Sequence, residues 1–153
     1  MRKKALSWIL TIAMVLPLFA AMPITVAAAD YVCEVKGVQY LNLDAAIAAA
    51  APGEDTITLL ANIDYEGQIA PTFYMYINLN GHTLNVVNNS GAALLVDGHE
   101  LNISGEGEFN VTGSDYGVYA CNGGKAKVSK ATASAAGGRA VYVSGFNSSG
   151  TVE

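Results

Sequence analysis

The sequence predicts an all-β fold of the solenoid kind, a parallel β-helix with a short capping α-helix on its N-terminal side. Three observations predict it. Short apolar strands recur at a period of roughly 20–25 residues, as stacked coils require. Apolar and polar residues alternate within each recurrence, which sends one set to each face of a strand. Glycine or asparagine stands in the gaps between strands, as in Asn80-Gly81 and Asp97-Gly98. A strand–turn–strand unit of this length cannot bury its apolar face alone, so it must stack on its neighbour.

The recurrences can be traced. Ile57-Thr58-Leu59 returns as Ile77-Asn78-Leu79. Leu94-Leu95-Val96 returns as Val118-Tyr119-Ala120, and again as Val141-Tyr142-Val143. Leu101-Asn102-Ile103 is followed by Ala126-Lys127-Val128, and Phe109-Asn110-Val111 by Ala133-Ser134-Ala135. The phrase Gly81-His82-Thr83-Leu84-Asn85-Val86 also returns, at a shorter interval, as Gly98-His99-Glu100-Leu101-Asn102-Ile103, and it is read as a stacked repeat. An antiparallel β-sandwich, with Asn80-Gly81 and Asp97-Gly98 as hairpin turns, is the competing fold. A sandwich has no reason to keep the near-constant interval from Leu94 to Val118 to Val141.

Residues 1–29 read as a signal peptide. Arg2-Lys3-Lys4 is a basic start, Ala5 to Ala21 is apolar, and Ala27-Ala28-Ala29 offers a small-residue cleavage site. The apolar stretch is nearly long enough for an uncleaved anchor, but Pro17, Pro23 and the alanines favour removal. No membrane association is expected after cleavage.

Cleavage leaves five basic residues against 13 acidic ones, a net charge of −8. Four of the five cations, Lys125, Lys127, Lys130 and Arg139, fall after Gly124. An acidic chain with a single arginine is a poor partner for nucleic acid. The remaining length suits one solenoid.

Residues 30–55 read as a leading strand and the capping helix. Asn42 can cap, Asp44 suits the positive end, and Leu43, Ala46, Ile47 and Ala50 share a face. Pro52-Gly53 stops the helix. Residues 56–153 form the coils and read as truncated at the C-terminus. Their last strands, from Val141 on, are expected to leave backbone groups unpaired.

Cys33 precedes the first coil and Cys121 lies about three coils along. At about 4.8 Å per coil their separation is on the order of 15 Å, beyond the ~7 Å that a disulfide tolerates. Two free thiols are expected.

Taken together, Tyr40-Leu41-Asn42-Leu43-Asp44-Ala45-Ala46-Ile47, Ala50 to Leu60, and Ile77-Asn78-Leu79-Asn80-Gly81-His82-Thr83-Leu84 resemble the start of pectate-lyase-like right-handed parallel β-helix domains. These are common in secreted and surface proteins of Gram-positive bacteria. The resemblance implies extracellular or cell-surface placement. It covers polysaccharide lyases, glycoside hydrolases, adhesins and stalks alike, so it does not choose an activity.

Catalytic residues are not assigned. Arg139 has no acidic residue within ten positions, and the carboxylates Asp64, Glu66, Asp97, Glu100, Glu106, Glu108 and Asp115 are scattered. The lyases and hydrolases of the resemblance need clustered ones. His82, read as stacking near His99 with Asp97 and Glu100 close by, could bind zinc, but the spacing matches no metal motif, so no metal and no cofactor is assigned. Sequons at Asn88, Asn102, Asn110 and Asn147 are read as turn and amide-ladder positions.

The candidate binding residues are aromatic. Tyr119 and Tyr142 hold equivalent outward positions, with Leu95 and Asn78 expected in the same row and Tyr76 beside it. Such a row could stack on sugar rings, or it could only shield the sheet. The resulting expectation is a secreted or surface β-helix scaffold, adhesin-like or carbohydrate-contacting. Its partner would be a polysaccharide or a cell-surface glycan. The N-terminal part of a lyase or hydrolase, and a structural stalk, are the alternatives.

Overall fold

In the computed structural model, which describes residues 30–145 and 149–152, the chain first folds back on itself. β1 (Cys33–Val35) and β2 (Val38–Tyr40) form an antiparallel hairpin with Val35 opposite Val38. Lys36 and Gly37 turn it with φ 50 and φ 77, the left-handed pair that matches hairpin twist. The expected single leading strand is therefore two strands. The leader residues 1–29 lie outside the described residues.

α1 (Leu43–Ala49) follows as the sequence suggests. Asn42 is extended and its Oδ1 accepts the Ala45 N–H at 2.8 Å. Asp44 sits in the first turn, where its charge meets the positive end. Leu43 and Ala46 are buried in the same core as the strands, and the helix packs on β1 and β2. Ala50, with ψ 129, ends it.

The remaining strands stack as a β-solenoid of about four turns. The first turn holds β3 (Thr56–Leu59) and β4 (Ile63–Glu66), and the single bridge from Ile69 to Leu94 stands where a third strand would be. The second holds β5 (Met75–Asn78), β6 (His82–Asn88) and β7 (Ala92–Asp97). The third holds β8 (Glu100–Ser104), β9 (Gly107–Gly113) and β10 (Tyr116–Cys121). The fourth holds β11 (Lys125–Val128), β12 (Lys130–Ala133) and β13 (Arg139–Ser144), and β14 (Ser149–Val152) starts another.

Three sheets result. One runs β14-β11-β8-β5-β3-β1-β2, one β13-β10-β7, and one β12-β9-β6-β4. All pairs from β3 onward are parallel, and β1 is antiparallel to both neighbours. Inward rows form the core: Ile57–Ile77–Ile103, Ile63–Leu84–Phe109 and Leu94–Val118–Val141. Most of these side chains are fully buried, and each contributes roughly 1.5–3 kcal/mol through removal of apolar surface from water.

Two recurrences read from the sequence pair differently. The repeated Gly-His phrase does not stack. His82, Leu84 and Val86 lie on β6 over Gly107, Phe109 and Val111, whereas Leu101 and Ile103 lie on β8 over Met75 and Ile77 in another sheet. Period-two alternation is common to every strand, so likeness of pattern does not identify the sheet. Nor does Phe109-Asn110-Val111 recur at Ala133. Val111 lies beside Ala131 instead, because only Ser129 separates β11 from β12. Asn80-Gly81 and Asp97-Gly98 are corners between sheets, not hairpin turns.

The corners explain the glycines. Between β8 and β9 the chain turns at Gly105-Glu106-Gly107 against the previous coil. A Cβ on Gly107 would collide with the His82 carbonyl oxygen and lie 2.9 Å from Leu79 Cβ, and its φ of 129 already excludes most side chains. Gly107→Ala should therefore destabilise the fold by roughly 2–4 kcal/mol, read as a lower urea midpoint. A loss below about 0.5 kcal/mol would mean that the corner can open.

Asp55 ties the first coil to the cap. It is a buried carboxylate whose Oδ1 meets Lys36 Nζ at 2.7 Å and whose Oδ2 accepts the Ala51 N–H at 2.8 Å. The Lys36 bond, then the Ala51 bond, hold its carboxyl below the usual range, and Asp55 in turn holds the Lys36 ammonium above its own. A depressed carboxylate contributes stability above its unfolded pKa and loses it as pH falls through the folded value. The raised lysine contributes below its unfolded pKa and loses it as pH rises through its folded one. The urea midpoint advantage of the wild type over Asp55→Asn should thus be full between about pH 5 and pH 9 and shrink below about pH 4. A constant gap down to about pH 2 would show that the carboxylate charge is not what stabilises the join.

Candidate functional site

The outer face of the three-stranded sheet brings together aromatic and charged groups that are far apart in sequence. Tyr119 lies in register with Leu95 on one side and Tyr142 on the other. Tyr116 is in register with Arg139, and Cys121 with Asp97 and Ser144. Three rows therefore cross the face, led by Tyr116, Tyr119 and Cys121.

Tyr116, Tyr119 and Tyr142 form one cluster. The ring centres are 5.3 Å apart for Tyr116–Tyr119, 5.2 Å for Tyr119–Tyr142 and 5.1 Å for Tyr116–Tyr142. The last pair is stacked at 20° and the other two are tilted. The Arg139 guanidinium carbon lies 4.8 Å from the centre of the Tyr142 ring, within cation–π range. Ser144 Oγ donates to the Tyr119 hydroxyl at 3.3 Å. Beside the cluster is a shallow notch of about 250 Å³ lined by Asp115, Tyr116, Ala135, Gly137, Gly138 and Arg139.

Alternation does not find Tyr116. Counting back by twos from the inward Val118 sends it inward. In the structure Gly117 and Val118 are both buried, so the alternation breaks and Tyr116 turns out onto the face. A Cβ on Gly117 would lie 2.6 Å from the Ala140 oxygen and 2.7 Å from the Thr132 nitrogen, so only glycine lets the neighbouring coil approach. An isolated glycine within a strand is the available signal.

Tyr76 belongs elsewhere. It lies on β5, beside Thr56 and Asn102 in the seven-stranded sheet, and Asn78 follows it in that sheet beside Thr58 and Ser104. The expected single row from Asn78 to Tyr142 is therefore split between two faces. Of the expected aromatics, the fold brings Tyr119 and Tyr142 together, adds Tyr116 and leaves Tyr76 out.

The histidines are likewise separated. His82 stacks on Gly107 in the four-stranded sheet. His99 stands at the corner between β7 and β8, with the Tyr74 ring edge-on at 6.2 Å. The expected His82–His99 contact is not formed, because the two phrases that carry them do not stack. Among the described residues no group of three or more metal-binding side chains is assembled.

Elsewhere the outward polar groups are engaged with one another. Asn85 Nδ2 donates to Asp64 at 2.8 Å, Asn110 Nδ2 donates to Asn85 at 3.1 Å and to Glu108 at 3.1 Å, and Lys130 follows in the row. This is a side-chain amide ladder between coils. Asn88 closes its own turn by donating to the Ala92 oxygen at 2.7 Å and accepting from Ser90 N–H at 3.0 Å. Asn102 lies on β8 beside Tyr76, and Asn147 lies outside the described residues.

Compared with protein-family models, with curated proteins and with solved structures, the chain gives no match.

Both thiols are free. Cys33 is fully buried, its Sγ donating to the Asn42 oxygen at 3.5 Å, and burial pushes its pKa up to about 11. Cys121 is half-buried, and burial, then the Asp97 carboxylate, raise its thiol as well. Iodoacetamide at about pH 8 should therefore label Cys121 slowly and Cys33 hardly at all in the folded chain, because the thiolate is the nucleophile. Asp97→Asn removes the negative neighbour and should speed labelling of Cys121 several-fold. An unchanged rate would mean that burial alone controls it.

Proposed function

We propose that the chain is a secreted or surface-displayed β-solenoid scaffold that holds an acidic polysaccharide or cell-surface glycan against the outer face of its three-stranded sheet. The supporting observation is the cluster of Tyr116, Tyr119 and Tyr142 with Arg139 over Tyr142. Aromatic rings supply flat apolar area for the face of a sugar ring at low entropic cost, and a guanidinium pairs with a carboxylate. Tyr119 and Tyr142 succeed one another along the solenoid axis at about the strand spacing, and Tyr116 widens the patch along its own strand, so a sugar chain would lie across the strands. The resemblance to pectate-lyase-like right-handed β-helices, and the signal-peptide pattern of residues 1–29, agree with this reading.

A structural role for the same row has its own observation. Tyr116 and Tyr142 are stacked, and Arg139 lies over Tyr142, so these faces are partly spent on each other. In that reading the row is an aromatic ladder that strengthens coil stacking in a surface stalk.

Replacing Tyr119 and Tyr142 together by serine separates the two. If the face binds glycan, retention on an acidic polysaccharide gel is lost while Tm is nearly kept, and Arg139→Gln weakens retention on an acidic gel more than on a neutral one. A large fall in Tm with unchanged retention leaves the row structural and overturns the binding reading.

A further inference from the structure

Exported chains are often fastened by disulfides, but both cysteines here are free. The joint between the third and fourth coils has the fewest paired residues in the seven-stranded sheet. β8 pairs with β5 from Leu101 to Ser104, but with β11 only at Glu100 and Leu101. The fourth coil is also less buried than the third. Val118 and Ala120 are sealed in the core, whereas their neighbours Val141 and Val143 are half-buried and 39% exposed. Local opening starts where burial is low, so a link across this joint would act where the stack is weakest.

Phenols already meet across that joint. Tyr119 and Tyr142 are in-register neighbours on β10 and β13, with ring centres 5.2 Å apart and planes at 44°. Both are half-buried on the outer face, so a small oxidant reaches them. A phenol that loses one electron and its proton carries spin on the ring carbons beside the oxygen, and two such radicals join there. The joined rings lie edge to edge and twisted. The tilted Tyr119–Tyr142 pair is closer to that arrangement than the Tyr116–Tyr142 pair, which is stacked face to face at 20°. The Arg139 guanidinium, 4.8 Å from the centre of the Tyr142 ring, opposes positive charge on it, so the electron leaves together with the proton.

We propose that Tyr119 and Tyr142 are an oxidative cross-linking site, joined as dityrosine by a peroxide-consuming haem enzyme acting on the exported chain. Each ring gives up the hydrogen on one carbon beside its hydroxyl, and one carbon–carbon bond replaces the two carbon–hydrogen bonds. Both hydroxyls are kept. The two electrons and two protons released reduce one hydrogen peroxide to two waters. The link fastens β13 to β10 and so holds the fourth coil on the third. An oxidising exterior agrees with the signal-peptide pattern of residues 1–29. The proposal stands on the ring geometry and does not rest on the glycan reading.

The exported chain in dilute solution is treated with hydrogen peroxide and a haem peroxidase. It should yield a fluorescent monomer lighter by two hydrogen atoms, and proteolysis with mass spectrometry should join the peptides that hold Tyr119 and Tyr142. Tm should rise by about 5 °C or more, because the link closes a loop in the unfolded chain. Tyr119→Phe and Tyr142→Phe should each abolish the link and keep the fold, since each keeps its ring, and Tyr116→Phe should still link. Cys121 lies two residues beyond Tyr119 on the same face, and its thiol can return a hydrogen atom to a phenoxyl radical, so Cys121→Ser should link faster. Dityrosine formed only between molecules, or only after unfolding in urea, overturns the proposal. So does a link mapped to Tyr116, or to the exposed Tyr31 or Tyr74, or one that forms in Cys121→Ser alone.

Discussion

Every coil of this protein depends on the coil beside it for burial. A strand such as Met75–Asn78 is four residues long and offers two inward side chains, too few to form a core of its own. Parallel in-register stacking repeats those few positions as rows, Ile57–Ile77–Ile103 and Met75–Leu101–Ala126, and the rows are the core. The same stacking satisfies the backbone, because the amides of each inner strand bond to the coils on both sides. Corners then become the tightest places. Asn80 and Gly81 turn with positive φ, and Asn80 Nδ2 reaches back to the Leu59 oxygen at 3.0 Å, so each corner is built on the one before it.

Stacking also decides what meets on the outside. The third coil carries Glu100, Glu106, Glu108 and Asp115, and the fourth carries Lys125, Lys127, Lys130 and Arg139, with Glu100 and Lys125 in register. An acidic layer therefore lies against a basic one within a chain that is acidic overall. The tyrosine cluster spans that boundary, since Tyr116 and Tyr119 belong to the third coil and Tyr142 to the fourth. Arg139 is thus the cationic member of that face, exposed to solvent with its guanidinium over the Tyr142 ring.

The N-terminal end obeys a different rule. A solenoid must cover its first coil or leave apolar rows in water. Here α1 lies over the core through Leu43 and Ala46, and Asp55 fastens the hairpin turn to the loop after the helix. The hairpin adds two strands to the sheet, and among the described residues β2 is its last strand. Covering the core and closing the sheet are separate problems, and the described residues solve the first.

Much of this was legible in the residues themselves. Asn42 and Asp44 with Leu43, Ala46 and Ala50 specify α1 locally, because capping and a one-sided apolar face need no partner. The recurrences that start at Ile57, Leu94 and Val118 pick out true coil neighbours, because equal inward residues recur where coils are of similar length. Alternation alone could not say which sheet a strand joins, so Gly81–Val86 and Gly98–Ile103 look alike yet lie on different faces. Nor could it place Tyr116, which turns outward only because Gly117 lets the Ala140 and Thr132 backbone approach, or Lys130, which follows Asn110 because Ser129 alone makes the corner before it. Strand character is set by near neighbours along the chain. Register and facing are set by corner lengths and by contacts between one coil and the next, and those exist only once the coils have stacked.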